Sequence, residues 1–163
     1  VKFIVYGVPK LKESLLKSAG KNEDLIVLPP TASDNELALF YSSIDVLAHA
    51  SPIGECSSGT ILEAMFFKKP VVVTSTPFPS ETKGRDHTPD NGQIEQIKNG
   101  INGFVVNDGT DMAAAIGELA RDSALGGLIG KKNYEEIFEK FDAKVGIATL
   151  EKTFIISFRD RKF

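Results

Sequence analysis

The clearest signal of the fold lies in Val46–Val73, VLAHASPIGECSSGTILEAMFFKKPVVV. This stretch begins and ends with a short apolar run, Val46–Ala48 and Val71–Val73, and neither run alternates with polar residues. Such runs are typical of parallel strands that are covered on both faces. Between them, apolar residues recur at helical spacing, namely Ile61, Leu62, Met65 and Phe66. The stretch therefore predicts one strand–helix–strand unit.

The same alternation continues toward the N-terminus and for one further strand toward the C-terminus. Apolar runs bounded by Gly, Pro, Asn or Asp lie at Phe3–Tyr6, Leu25–Leu28 and Phe104–Val106. Ser33 and Glu36 form a capping box ahead of apolar residues at helical spacing, which predicts a helix start. Repeated strand–helix pairs predict an α/β fold, a Rossmann-like doubly wound parallel sheet.

The chain after Val106 carries helical patterns and no further strand. Thr110 is predicted to cap a helix that carries Ala113, Ile116 and Leu119. Further helices are predicted from about Ala124 to Phe141 and over Ile147–Phe158. The prediction is a helical C-terminal tail that packs on the sheet.

The turn between the predicted strand and helix of the central unit carries the candidate chemistry. In open α/β sheets, ligands bind beyond the carboxyl ends of the strands. Small residues at a helix start leave backbone N–H groups that can bind an anion, and here they are Ser57, Ser58, Gly59 and Thr60. Glu55 and Glu63 flank this turn, and carboxylates accept hydrogen bonds from sugar hydroxyls. The residues alone leave two interpretations open: a nucleoside diphosphate sugar site, or a capping box of Thr60 and Glu63 beside a solvated Glu55.

Several ordered motifs of this sequence resemble those of the retaining family-4 glycosyltransferases, which have the two-domain GT-B fold. Seven residues separate Glu55 from Glu63, Ala64-Met65 follows the second glutamate, and Pro70-Val71-Val72 comes soon after. The pattern Gly-x-x-Glu-x-Ile-x-x-Gly-x-x-Gly is matched in register by Gly92, Glu95, Ile97, Gly100 and Gly103. The resemblance extends from about Phe3 to Phe141.

The resemblance implies roles for the matching residues. Glu63 is similar to the glutamate that holds the ribose hydroxyls, and Glu55 to the one near the transferred hexose, which makes Glu55 the candidate catalytic residue. The turn from Ser57 to Thr60 would bind the diphosphate and the sugar. Pro29 and Pro30 would form the wall that meets the base, and Gly7 would lie at the same rim. The implied substrate is a nucleotide-sugar donor, with a glycan, a lipid or a small molecule as acceptor.

The sequence also departs from the family pattern. Where the family often has Gly-Phe-Gly after the first glutamate, this chain has Cys56-Ser57-Ser58, and Phe66 and Lys68 replace the family's small residues. Residues 1–163 are expected to be the donor-binding domain without its first strand-helix unit and without the N-terminal acceptor domain. The isolated fragment is accordingly expected to be inactive. Two alternatives stay open: a related GT-B enzyme of the glycogen synthase or sugar-nucleotide epimerase type, and a catalytically silent interaction module.

Composition excludes some classes of function. The net charge of −3 and the scattered basic residues give no basic surface for nucleic acid. One cysteine, Cys56, cannot form an internal disulfide, which favours a reducing compartment and a cytoplasmic location, with peripheral membrane contact only through the absent domain. No metal-ligand cluster is recognisable, so no cofactor is expected. His49 and His87 are more simply explained as structural or solvated residues, and the long loop Ser75–Asn91 is predicted to flank the site.

Overall fold

The computed structural model of the chain consists of parallel strands and helices that alternate along the sequence. The structure describes residues 2–6, 12–20, 24–30, 33–50, 57–75 and 92–159. The chain divides into two compact units, Val1–Asp45 and Val46–Phe163. Among the described residues, no helix combines the length and the apolar character needed to cross a lipid bilayer.

The first unit contains two strand–helix pairs. They are β1 (Phe3–Tyr6), α1 (Lys12–Ala19), β2 (Leu25–Leu28) and α2 (Asp34–Ser43). The two strands pair in parallel, with Phe3 opposite Leu25. Helix α2 begins where the sequence predicts, because the Ser33 hydroxyl accepts a hydrogen bond from the Glu36 amide. The Tyr6 ring stacks on Phe40 with centroids 4.9 Å apart, and this contact joins β1 to α2.

The second unit contains three parallel strands and the remaining helices. In chain order these are β3 (Leu47–His49), α3 (Gly59–Phe66), β4 (Val71–Thr74), α4 (Gln93–Gln96), β5 (Phe104–Val106), α5 (Gly109–Arg121), α6 (Ser123–Glu136), a π-helical segment (Ile137–Phe141) and α7 (Ala143–Arg159). Strand β4 lies between the other two, so that Val72 pairs with both Ala48 and Phe104. The predicted parallel α/β class and the helical tail are therefore confirmed. The described strands form two sheets.

The core of the second unit is built around β4. All four of its residues are buried, so both faces of the strand are covered, as its continuous apolar sequence predicts. On one face, Val72 packs in a cluster with residues of β5, α5 and α6, namely Val106, Ala115, Leu119 and Ile129. The central strand β4 thus holds β3 and β5 in fixed register, and this pairing positions the end of β3.

Helix α5 starts at Gly109, two residues earlier than a Thr110 cap requires. Its N-cap is Asp108, whose carboxylate accepts hydrogen bonds from the amides of Thr110 and Asp111 at 2.8 and 2.9 Å. The sequence-based choice of Thr110 as the cap is wrong. Aspartate caps at least as well as threonine, and it comes two residues earlier in the chain.

The chain after helix α3 passes very close to helix α6. Lys68 adopts a left-handed backbone conformation with φ of 57°, and its carbonyl lies where a Cβ atom on Gly130 would stand. The amide of Asn133 donates to the Lys69 carbonyl at 2.8 Å, which fixes the crossing. The Lys68 ammonium lies 4.7 Å from the ring centroid of Tyr134. Position 68 is one where the family pattern has a small residue, and the positive φ explains that preference.

We expect the Lys68→Gly protein to be more stable than the Lys68→Ala protein. At most positions alanine is the more stabilising of these two residues. Both Lys68→Gly and Lys68→Ala lose the contact with Tyr134, but only glycine relieves the left-handed strain of about 1 kcal/mol. Urea unfolding of the two variants measures the difference directly. Equal stability, or a more stable alanine variant, would show that the strain assigned to Lys68 is absent.

Candidate functional site

The predicted anion-binding turn lies between the end of β3 and the start of α3. Ser58 is the N-cap residue, and its side chain makes no capping hydrogen bond to the helix. The first intrahelical bond of α3 runs from the Leu62 amide to the Ser58 carbonyl at 3.2 Å. Helix geometry therefore leaves the amides of Gly59 and Ile61 without an intrahelical acceptor. Because Thr60 lies inside the helix, it is not the N-cap, and the capping-box explanation of Thr60 and Glu63 is wrong.

Helix α3 has one buried and one exposed face. Ile61, Ala64 and Met65 are fully buried against the core. Gly59 and Glu63, four residues apart, are both exposed, and residues at this spacing lie on the same helical face. Since the positive end of a helix dipole attracts anions, this face offers backbone donors at its start and a carboxylate one turn later. That arrangement suits a ligand that carries both phosphate and hydroxyl groups.

A buried glutamine holds the residue that precedes the helix. The Gln96 Oε1 atom accepts from the Ser58 amide at 3.0 Å, and its Nε2 donates to the Ser58 carbonyl at 3.1 Å. The same Nε2 lies 3.4 Å from the Ser57 hydroxyl, which it reaches as a weaker donor. One side-chain amide thus binds both backbone groups of Ser58, as a neighbouring β-strand would. Ser58 and Gln96 are each only 3% exposed, so this pairing is shielded from water.

His49, the last residue of β3, holds the Ser58 side chain. Its Nδ1 lies 3.3 Å from Gln93 Oε1, and its Nε2 lies 3.0 Å from Ser58 Oγ. An amide oxygen only accepts, so in the neutral ring Nδ1 carries the proton and Nε2 accepts from the serine hydroxyl. The three polar groups of Ser58 (amide, carbonyl and hydroxyl) therefore all have partners within the protein. His49 has a structural role in this arrangement, as the sequence favours.

The short helix α4, which carries both glutamines, is held in place by the side chain of Asn102. The Asn102 side chain is fully buried; its Oδ1 accepts from the Lys98 amide at 2.6 Å and its Nδ2 donates to the Gln96 carbonyl at 3.0 Å. The same Nδ2 donates to Glu136 of α6 at 3.1 Å. The motif glycines serve this turn, because Gly100 has a φ of 73° and Gly103 packs against the Val71 carbonyl. These two glycines therefore shape the turn that follows α4.

The remaining predicted site residues are placed as follows. Pro29 and Pro30 directly follow β2, and both are exposed, in the first unit. Gly7 and Glu55 lie outside the described residues, as do Cys56, His87 and residues 76–91 of the predicted loop. The role of Glu55 as the catalytic residue accordingly stays a prediction.

Gln93 and Gln96 are the site residues that the sequence does not reveal. They fill variable positions of the Gly-x-x-Glu-x-Ile motif, where nothing in the pattern predicts burial. The only available signal is that glutamines three residues apart share a helical face. The shared face indicates a role at the site only when α4 is known to pack beside Ser58.

The described residues contain no group of three or more His, Cys, Asp or Glu side chains arranged to hold a metal ion. Independence from metal therefore stays a prediction that follows from the family resemblance.

Comparison with known proteins identifies the family. The family model described as "Glycosyl transferases group 1" matches residues 1–122. A comparison with functionally curated proteins gave no significant match.

Solved structures share the fold over nearly the whole chain. HepE from Anabaena, crystallised in complex with UDP-glucose, superposes with a TM-score of 0.73 at 20% identity, over 94% of this chain and 40% of its own. Sucrose-phosphate synthase from Thermosynechococcus elongatus gives 0.72 at 18% identity, over 96% and 38%. The C-terminal domain of LpcC, a group 1 family glycosyl transferase from Francisella tularensis, gives 0.64 at 24% identity, over 87% and 70%. The chain thus spans about two fifths of the length of the first two proteins, and these likenesses identify a Rossmann-like fold of the GT-B type.

Proposed function

Because this chain belongs to the glycosyl transferases group 1 family, we propose that it forms the donor-binding half of a retaining glycosyltransferase. The enzyme moves a hexose from a nucleoside-diphosphate sugar to an acceptor hydroxyl on a glycan, a lipid or a small molecule. The observation that supports this best is the exposed start of helix α3, where Ser58 provides no side-chain cap and Glu63 follows on the same face as Gly59.

In this proposal the diphosphate binds at the first turn of α3. The exposed amide of Gly59 donates to its oxygens, and the helix dipole adds a favourable field. When the bond between the sugar C1 and the diphosphate oxygen breaks, negative charge develops on the departing diphosphate. Donors fixed in advance at that position stabilise the transition state.

The family resemblance assigns the rest of the donor to further residues of the chain. Glu63 accepts hydrogen bonds from the ribose hydroxyls, and Glu55 acts beside the hexose. By the same resemblance, Pro29, Pro30 and Gly7 are assigned to the base. HepE was crystallised with UDP-glucose, and a donor of that chemical class fits the proposed arrangement. The reaction is proposed to need no metal ion.

The proposal is tested on the full-length protein that contains this chain. Incubation with UDP-glucose, GDP-mannose and ADP-glucose, with and without candidate acceptors, should release the nucleoside diphosphate from one of them. NMR of the new glycosidic linkage should show the anomeric configuration of the donor, and EDTA should leave the rate unchanged.

A different result would refute each part of the proposal. An inverted linkage would refute the retaining mechanism but keep the donor site, and loss of activity in EDTA would refute metal independence. No release from any donor, although the protein is folded, would favour a silent interaction module, which the replacement of the family's Gly-Phe-Gly by Cys56-Ser57-Ser58 also fits.

A further inference from the structure

We propose that Gln96 is a positioning residue for the donor site, and that His49 assists it by holding the side chain of Ser58. This inference rests on the proposed function, because the object that Gln96 positions is the first turn of α3. It assigns an indirect role to Ser58: its backbone and hydroxyl orient the turn, and the ligand is contacted by the residues that follow.

The geometry favours positioning over direct contact. Gln96 and Ser58 are each 3% exposed, so neither side chain is available to a ligand in solution. The bonds of Gln96 to Ser58 N and O, at 3.0 and 3.1 Å, fix the orientation of that residue's backbone. Because Ser58 is the N-cap, the direction of the next amides follows from its backbone conformation.

The arrangement of Ser58, His49 and Gln93 superficially matches a nucleophile, a base and an orienting group. Burial argues against that use, since a hydroxyl on a residue 3% exposed is closed to an electrophile. The hydroxyl instead gives Ser58 a third anchor, which a glycine at this position would lack. The network therefore explains how the turn is held where the family pattern has glycine.

The structure also provides a matched control residue. Asn133 is fully buried, and its side-chain amide binds the Lys69 carbonyl at 2.8 Å, just after α3. Gln96 binds a backbone carbonyl just before α3. Asn133→Ala deletes one hydrogen bond to the backbone that flanks the helix, and Gln96→Ala deletes two, but only Gln96 holds the end where the donor binds.

The experiment compares Gln96→Ala, Asn133→Ala and Ser58→Ala in the full-length protein. Affinities for UDP, GDP and ADP are measured by calorimetry, together with Tm and the amide hydrogen exchange of residues 58–61. We expect both buried-amide variants to lower Tm. Only Gln96→Ala should speed exchange in residues 58–61 and weaken the tightest nucleotide about tenfold. Ser58→Ala should weaken it about threefold and lower Tm less than Gln96→Ala does, because it deletes fewer hydrogen bonds.

The results separate the positioning role from the proposed function. If Gln96→Ala speeds the exchange of residues 58–61 but binds the nucleotide as tightly as wild type, positioning is refuted and the donor site stands. If Gln96→Ala and Asn133→Ala weaken binding equally, the role of Gln96 is only structural, and the inference is wrong. If the folded wild-type protein binds none of the three nucleotides, the proposed function fails, and the positioning role is refuted with it.

Discussion

Replacing Gly130 with alanine is expected to destabilise the fold by about 3 kcal/mol, a large value for one methyl group. The added Cβ would overlap the Lys68 carbonyl oxygen and lie 2.7 Å from its carbonyl carbon. Both neighbours are backbone atoms, so no side-chain rotation relieves the clash. The amide of Asn133 also holds the two segments together by its bond to the Lys69 carbonyl.

Helix α6 supplies the control for this prediction. Gly127 lies three residues before Gly130, and a Cβ there would meet no atom within 4 Å. Gly127→Ala should therefore stabilise the protein by about 0.5 to 1 kcal/mol, as expected for alanine in a helix. Urea unfolding of both variants gives the comparison. A Gly130→Ala protein as stable as the Gly127→Ala protein would contradict the close crossing of α6 with the chain after α3.

Replacing Glu63 with alanine is expected to weaken donor binding about 100-fold, with little change in stability. A carboxylate that accepts hydrogen bonds from two ribose hydroxyls contributes about 1.5 to 3 kcal/mol to the binding free energy for each bond. The entropy lost when the side chain and the ligand become ordered reduces this total. Glu63 is exposed on α3, and surface substitutions of this kind usually change stability by less than about 0.5 kcal/mol. The affinity of the full-length protein for its nucleotide, measured by calorimetry, tests the prediction.

Two further variants make the Glu63 result specific. Glu63→Gln keeps one acceptor oxygen and should give an intermediate loss of about tenfold. Glu118→Ala removes an exposed glutamate from a different helix, α5, and should leave the affinity unchanged. If Glu63→Ala and Glu118→Ala bind the nucleotide equally well, Glu63 has no part in donor binding.

The sequence predicts the fold well because the fold depends on signals that are local in the chain. The continuous apolar run Val71–Val73 identifies a strand covered on both faces, and β4 is such a strand. The pair Ser33 and Glu36 predicts where α2 begins. The error at α5 is also local, since Asp108 and Thr110 are both possible caps two residues apart, and aspartate is the stronger of the two.

The support of the site depends on contacts that the sequence does not encode locally. Gln96 meets Ser58 across 38 positions of the chain, and Gln93 meets His49 across 44. Such pairs become visible only when α4 is placed beside the start of α3. The resemblance to the family identifies the turn and the two glutamates, but it leaves out these glutamines because they occupy variable positions of the motif.

Backbone NMR of the protein during titration with UDP, GDP and ADP tests most directly whether the first turn of α3 binds the donor diphosphate. We expect one nucleotide to shift the amide signal of Gly59 strongly, and we expect Glu63→Ala to abolish that shift at the same concentration. Nucleotide binding that leaves the Gly59 amide unchanged and perturbs another part of the chain would show that the diphosphate does not bind at the first turn of α3.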